Sequence, residues 1–406
     1  MKIKNIYARE ILDSRGNPTV ETELTLESDV KVMASVPSGA STGTNEALEL
    51  RDGDERYHGK GVTKAVNNVN EIIKPALINQ ELNQEKIDKL LLSLDGTKFK
   101  TNLGANAILS VSLCIMKAIA LTENKELYQI FDGPYTMPYP MMNIINGGVH
   151  ASSGLEIQEF MIVPMQSTFK ERLRCGSEVF QTLKGILKDE GYSTAVGDEG
   201  GFAPNFKSIE DALDHIMKSI TKAGYTPKED VSIALDCAAS EFYDGEKYTI
   251  NKQKITKEQL INYYLKLIDT YPIISIEDAF SENDIDSIKQ LTALVKDKIM
   301  LVGDDYFVTN IEYLEKGITE KYNNSILLKA NQIGTITEML ETIKLAKENN
   351  FKTIISHRSG ETEDTFIADL AVGLNLGFIK TGSLCRGERI CKYNRLLRIE
   401  EQIEKW

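Results

Sequence analysis

Residues 19–37, TVETELTLESDVKVMASVP, alternate apolar and polar side chains in two runs, with Glu27–Asp29 between them. A period of two lays one face of each run on a core, so the pattern predicts an antiparallel hairpin. The period then changes. Residues 62–77 and 105–127 return their apolar side chains every three or four positions, as helices packed on a small sheet do. Residues 131–140, FDGPYTMPYP, concentrate Pro, Gly and Tyr and read as a linker. The expected organisation is an N-terminal α+β domain over 1–130, a linker over 131–140 and a second domain over 141–406.

Past the linker, short apolar runs alternate with helical stretches: VSIALD (231–236), YPIISIED (271–278), IMLVGDD (299–305), SILLKANQIG (325–334), KTIISHRSG (352–360) and GFIKTGS (377–383). Thr309 with Glu312, and Thr335 with Glu338, have the spacing of capping boxes at the starts of two of these helices. Repeated βα units predict parallel strands, and this many of them predict an αβ barrel.

Each run ends in polar chemistry. The endings are Asp236; Glu277 and Asp278; Asp304 and Asp305; Lys329; His357, Arg358 and Ser359; and Lys380. Barrel strands that run parallel bring their carboxyl ends to one face, so these groups converge on one mouth. An acid or serine after a strand can simply cap the next helix. Capping does not explain Lys329, Arg358 or Lys380, because cations are unfavourable at helix N-termini; ion pairing with the neighbouring acids is the plain alternative for each. Asp236, Glu277 and Asp304 would repel one another in a partly buried site and demand a counter-charge, and hard oxygen donors suit Mg²⁺ better than zinc. Acids on one side and cations on the other suit a metal facing a small anionic substrate.

Charge and composition narrow the classes. A net charge of −13 over 406 residues disfavours nucleic-acid or anionic-membrane binding by a general basic surface. Five scattered cysteines form no C-x-x-C pair or dense framework, which points to a reducing cytoplasm. The N-terminal residues lack the apolar core of a signal peptide, and no apolar stretch reads as a membrane span. Four histidines without a Cys/His cluster argue against zinc. Two glycine-bearing loops, 36–47 (VPSGASTGTNEA) and 195–204 (AVGDEGGFAP), have the composition of close-approach segments, and of ordinary turns.

The strings ILDSRGNPTVE (11–21), VPSGASTG (36–43), NIINGGVHA (143–151), QEFMI (158–162), VGDEGGFAP (196–204), SIED (275–278), GDD (303–305), LKANQIGT (328–335) and SHRSGETEDTFIADLAVGL (356–374) resemble enolase, and the likeness runs nearly the whole chain. The resemblance implies an N-terminal α+β domain and a TIM-like αβ barrel with irregular first strands, MMNII and EIQEFMIVP. It implies reversible dehydration of 2-phosphoglycerate to phosphoenolpyruvate with two Mg²⁺ ions, the work of a hydro-lyase in glycolysis and its reversal. Matched position by position, Lys329 is the base that removes the proton beside the carboxylate. Glu199 is the acid that helps hydroxide leave, and Glu159 assists it. Asp236, Glu277 and Asp304 match ligands of the first Mg²⁺, and Ser41 the residue that closes onto the second. Gln158 and Lys380 match contacts to the substrate carboxylate, Arg358 and Ser359 the phosphate contacts, and His150 a loop over the substrate, while His357 stands behind them. A homodimer or an octamer is implied as well; no interface pattern decides between them.

A lysine base must be neutral to accept a proton, so burial, Mg²⁺ and nearby cations are expected to push Lys329 downward. The chain departs from the family pattern at Tyr306, often leucine, and at Thr44-Asn45, where a histidine-containing turn is usual. Two other readings compete: a racemase or cycloisomerase that abstracts a similar proton without phosphate contacts, and a binding protein that keeps the fold without the reaction.

Overall fold

The computed structural model describes residues 1–39, 43–151 and 154–405. Strands β1 (Ile3–Leu12), β2 (Pro18–Leu26) and β3 (Lys31–Ser35) form an antiparallel sheet in that order. The expected hairpin is β2 and β3. β1 has no counterpart in the sequence reading because its pairing shifts between Ile3 and Asn5, and a shift of one residue breaks the alternation that reveals a strand.

The helix Ala105–Thr122 packs on β2 and β3. Contrary to the sequence reading, it is long and apolar enough to cross a membrane by length and composition, yet 78% of it is buried inside the protein. A helix enclosed by its own domain carries apolar residues on every side, as a spanning helix does. Residues 63–77 are helical throughout but widen to a π-helix at Asn68–Ile73, just before Pro75, which has no N–H to continue the regular ladder.

The remaining strands are β4 (Tyr139–Asn146), β5 (Glu159–Pro164), β6 (Val231–Asp236), β7 (Tyr248–Ile250), β8 (Gln253–Ile255), β9 (Ile273–Glu277), β10 (Met300–Gly303), β11 (Ser325–Leu328), β12 (Lys352–Ser356) and β13 (Gly377–Lys380). β7 and β8 form a small hairpin. The other eight close into a barrel, in the order β10-β11-β12-β13-β4-β5-β6-β9. β5 runs antiparallel to both β4 and β6, and the other pairings are parallel. Met141, Met161, Ala234, Val302, Leu327 and Ile354, one from each of six strands, pack together as a separate apolar cluster. The reversal of β5 matters for the site, because its first residue, Glu159, pairs with Asp236 at the end of β6.

Two caps differ in outcome. Thr335 accepts the Glu338 N–H at 3.2 Å and donates its hydroxyl to the same residue's carboxylate, as its spacing predicts. Thr309 does not cap; Asn310 does, accepting the Glu312 N–H at 2.9 Å. At Thr309 the backbone turns to φ 56°, and the hydroxyl accepts the Lys329 N–H at 2.8 Å and donates to Gln332. The N-terminal domain docks on the barrel through polar contacts: Asp88 accepts the Thr337 N–H at 2.9 Å, and Lys100 pairs with Glu338 at 2.7 Å.

Candidate active site

Every one of the six polar endings lies at or just after the carboxyl end of its strand, on one mouth of the barrel. A small cavity of about 30 Å³ opens there, lined by His150, Gln158, Glu159, Glu199, Asp236, Asp304, Lys329, Arg358, Ser359 and Lys380, with Ser356 and His357. Of the other residues expected from the sequence, Glu277 does not line the cavity but is bonded to Lys380, and Ser41 falls outside the described residues.

Lys380, at the tip of β13, is the electrostatic centre. Its ammonium lies 2.8 Å from Asp236, 3.0 Å from both oxygens of Glu277 and 3.2 Å from Glu159. Burial disfavours the ammonium, but these carboxylates outweigh it and hold Lys380 protonated. Glu277 is pushed well up, first by burial and then by Asp236, so the acids exceed what one lysine can neutralise. Gln158 adds a long amide contact to Asp236, at 3.4 Å.

Asp304 stands apart from this group. It pairs with Lys329 and accepts the Gln332 amide at 2.7 Å. Burial pulls Lys329 down, as expected from the sequence, but Asp304 overrides it and the net shift is upward. The expected depression is therefore not a property of the protein groups alone.

Glu159 and Glu199 are both buried and are shifted in opposite directions. Burial and the neighbouring Glu199 raise Glu159 well above the carboxylate range. Burial acts on Glu199 too, yet His357, His150 and Arg389 outweigh it and keep that carboxylate ionised. Asn143 donates to Glu199 at 3.1 Å, and His150 Nδ1 lies 3.7 Å from Glu199 and 3.8 Å from Glu159. His357 itself is pushed down to about 4, mainly by burial, so as a neutral ring it acts on Glu199 through its N–H and not as a charge. Glycines make this packing possible: a Cβ on Gly201 would meet Asn146 Oδ1 at 2.5 Å, and Gly200 turns at φ 89°.

The side of the mouth around Arg358 is built from distant segments. Arg358 pairs with Glu46 through both terminal nitrogens, at 2.9 and 3.2 Å. Arg15 reaches Ser359 at 3.3 Å. Glu46 also accepts the Gly43 N–H at 3.0 Å, so the shoulder of the 36–47 loop is tied to Arg358. Thr44 donates to Glu282 at 2.7 Å across to the barrel, and Tyr306 is anchored by its hydroxyl on the carbonyls of Phe280 and Ser281. Sequence reading missed Glu46, Asn143, Arg15 and Arg389. None sits at a strand end; Arg15 lies in the ILDSRGNPTVE string, Asn143 in NIINGGVHA and Glu46 in the 36–47 loop, but none of these segments singled the residue out.

The donor set fits a hard divalent cation. Asp236, Glu277 and Asp304 supply carboxylate oxygens that Lys380 and Lys329 only partly neutralise, and buried Gln158 Oε1 and Glu159 Oε2 have no hydrogen-bond partner. Among the described residues, the compact groups of possible ligand atoms are His150, Glu159 and Glu199, and Asp278, Asp304 and Asp305, within 4.8 Å. The expected triad is more open than these.

An eight-stranded barrel with a reversed second strand, preceded by a separate α+β domain and with a mouth divided between acids and cations, defines an αβ-barrel protein with an N-terminal α+β domain. Comparison with known families agrees: residues 3–131 match the enolase N-terminal domain and 134–406 the enolase C-terminal TIM barrel domain. The chain belongs to the enolase family.

Proposed function

We propose that the protein is a hydro-lyase that interconverts 2-phosphoglycerate and phosphoenolpyruvate in glycolysis and its reversal. The observation that carries this reading is the union, in one cavity, of the half-buried Lys329, the buried glutamates Glu159 and Glu199, and a buried arginine beside a serine.

Lys329 takes the proton from the carbon next to the substrate carboxylate. The electron pair left there forms the double bond as the C3–O bond breaks, and the Glu159/Glu199 pair gives a proton to the departing hydroxyl, so that water leaves. The upward shift of Glu159 and the downward shift of Glu199 favour Glu159 as the carrier of that proton. Arg358 and Ser359 hold the phosphate, Lys380 and Gln158 face the carboxylate, and His150 covers the substrate. Asp236, Glu277, Asp304 and Ser41 would hold two Mg²⁺ ions, whose charge, when bound, stabilises the dianion of the carboxylate and relieves the hold of Asp304 on Lys329. A lysine base working beside magnesium is the known pattern of this superfamily, and the family likeness carries it to this chain.

Buried Arg358 beside Ser359 favours this reading over a racemase, whose substrate leaves such a pocket unmatched. The five free cysteines support a cytoplasmic setting, and the family suggests a homodimer or octamer, which light scattering measures. Lys329→Ala is expected to abolish exchange of the C2 proton with solvent, and Glu199→Gln to stop product formation while keeping much of that exchange. Normal exchange by the lysine variant would remove the base assignment. Activity that persists after exhaustive EDTA treatment would remove the metals.

A further inference from the structure

The last helix, Gly387–Glu404, carries near its start a cation that the reaction above does not use. Arg389 is fully buried. Its Nη1 donates to the Arg358 carbonyl at 2.7 Å and meets His357 Nδ1 at 2.6 Å. Its Nη2 donates to the carbonyls of Ser359 at 2.6 Å and Asp198 at 3.2 Å, with Ser14 Oγ at 3.5 Å, and Nε faces Glu388 at 3.4 Å. A buried guanidinium is costly unless its donors are matched, and its terminal nitrogens are spent on the two loops that carry Glu199 and Arg358, while Nε has no hydrogen-bond partner.

The contact with His357 has one chemical interpretation. A guanidinium has donors and no acceptor, so Nδ1 of the imidazole must accept. A neutral ring that accepts at Nδ1 carries its proton on Nε2. His357 Nε2 has no hydrogen-bond partner of its own and lies 3.5 Å from Glu199 Oε2, too far for a formed bond and close enough for the N–H to point at that carboxylate. Asn143 donates to the same oxygen from the other side.

We propose that Arg389 is a positioning residue: it locks His357 as the Nε2–H tautomer, which turns the ring into a donor toward Glu199 and fixes that carboxylate for its part in removing the hydroxyl. The catalytic half of the inference rests on the role given to Glu199 above; the tautomer half stands on the hydrogen-bond geometry alone. A role confined to holding loops together makes a different prediction, because it does not pass through the imidazole.

Selective ¹⁵N-histidine labelling of the full-length protein, with His357 assigned by its disappearance in His357→Gln, reads the tautomer directly. The wild type is expected to show neutral His357 protonated at Nε2, and Arg389→Met to show a mixture of tautomers. An unchanged Nε2–H signal in Arg389→Met overturns the proposal. Arg389→Met should also lower kcat at least tenfold while C2-proton exchange continues, and should add less than a threefold loss when placed on His357→Gln. Losses that multiply in the double variant overturn the proposal, since they show that Arg389 does not act through His357. If Arg389→Met does not fold, Arg389→Lys, which keeps one buried donor, carries the test: it must retain the Nε2–H tautomer and most of kcat. Loss of the tautomer in a folded Arg389→Lys with full kcat equally refutes it. Absence of dehydration by the wild type would sink the functional reading and leave the tautomer result intact.

Discussion

Removing Lys380 should unmask the repulsion that the mouth of the barrel contains. Its ammonium is within 3.2 Å of Asp236, Glu277 and Glu159, and the side chain is 3% exposed. Lys380→Met keeps most of the side-chain volume and deletes the charge. Breaking a buried ion network by removing one partner costs about 3–5 kcal/mol, because the remaining charges stay buried without compensation. At roughly 2–4 °C per kcal/mol for a domain of this size, the melting temperature should fall by roughly 6–20 °C in EDTA at pH 8, read by scanning calorimetry. The loss has a pH signature. Burial raises Glu159 and Glu277 in the folded protein, so each binds protons more readily there than in the unfolded chain, and stability declines as pH rises through their folded values. The variant's deficit should therefore shrink as pH is lowered toward 5, where protonation replaces the missing ammonium. Magnesium should restore the variant more than it stabilises the wild type, because a ligand stabilises in proportion to its affinity for the folded site. A melting temperature within about 2 °C of wild type in EDTA at pH 8 would mean that these carboxylates are not held as the structure shows.

Three further outcomes are expected. His357 has a folded value of about 4, below the ordinary imidazole range, so the unfolded chain protonates first and stability is lost as pH falls from about 6.5 to 4; His357→Gln should flatten that decline in urea midpoints, and an unchanged slope refutes the assignment. Iodoacetamide should label native protein at Cys385 and Cys391 only, since Cys114, Cys175 and Cys237 are buried and Cys114 is pushed up to about 12; mass spectrometry that finds Cys114 modified before unfolding contradicts this. Gly317→Ala would place its Cβ 2.4 Å from the Phe307 ring, so overpacking of about 1–3 kcal/mol should exceed the roughly 1 kcal/mol gain in helix propensity, and chemical denaturation that shows net stabilisation would refute the packing.

The barrel was legible because six of its strands, β6 and β9 to β13, announce themselves twice, by an apolar run and by the polar residue that ends it or follows it. That rule worked for Asp236, Lys329 and Lys380 and failed for the reversed strand. Glu159 reaches the mouth at the beginning of β5, so only the family resemblance pointed to it. Strand β1 was hidden by its bulge, and Thr309 by a left-handed turn that moved the cap to Asn310. Arg389, Glu46 and Asn143 meet partners 32, 312 and 56 residues away, and no local period records such a partner. The upward shift of Lys329 was illegible for another reason, since it depends on which oxygen of which acid stands nearest.

The closure of the barrel also bears on how the molecule is made. The seam joins β13 to β4, pairing Phe378 with Tyr139 and Lys380 with Met141, more than two hundred residues apart. Contacts of such separation are slow to form, because a long loop must be ordered before they reward it. Until the seam zips, the acids of β6 and β9 have no ammonium between them and oppose compaction. Refolding monitored by circular dichroism should thus recover helix content well before activity, and the arrival of Lys380 marks the moment at which an open, self-repelling sheet becomes a closed one.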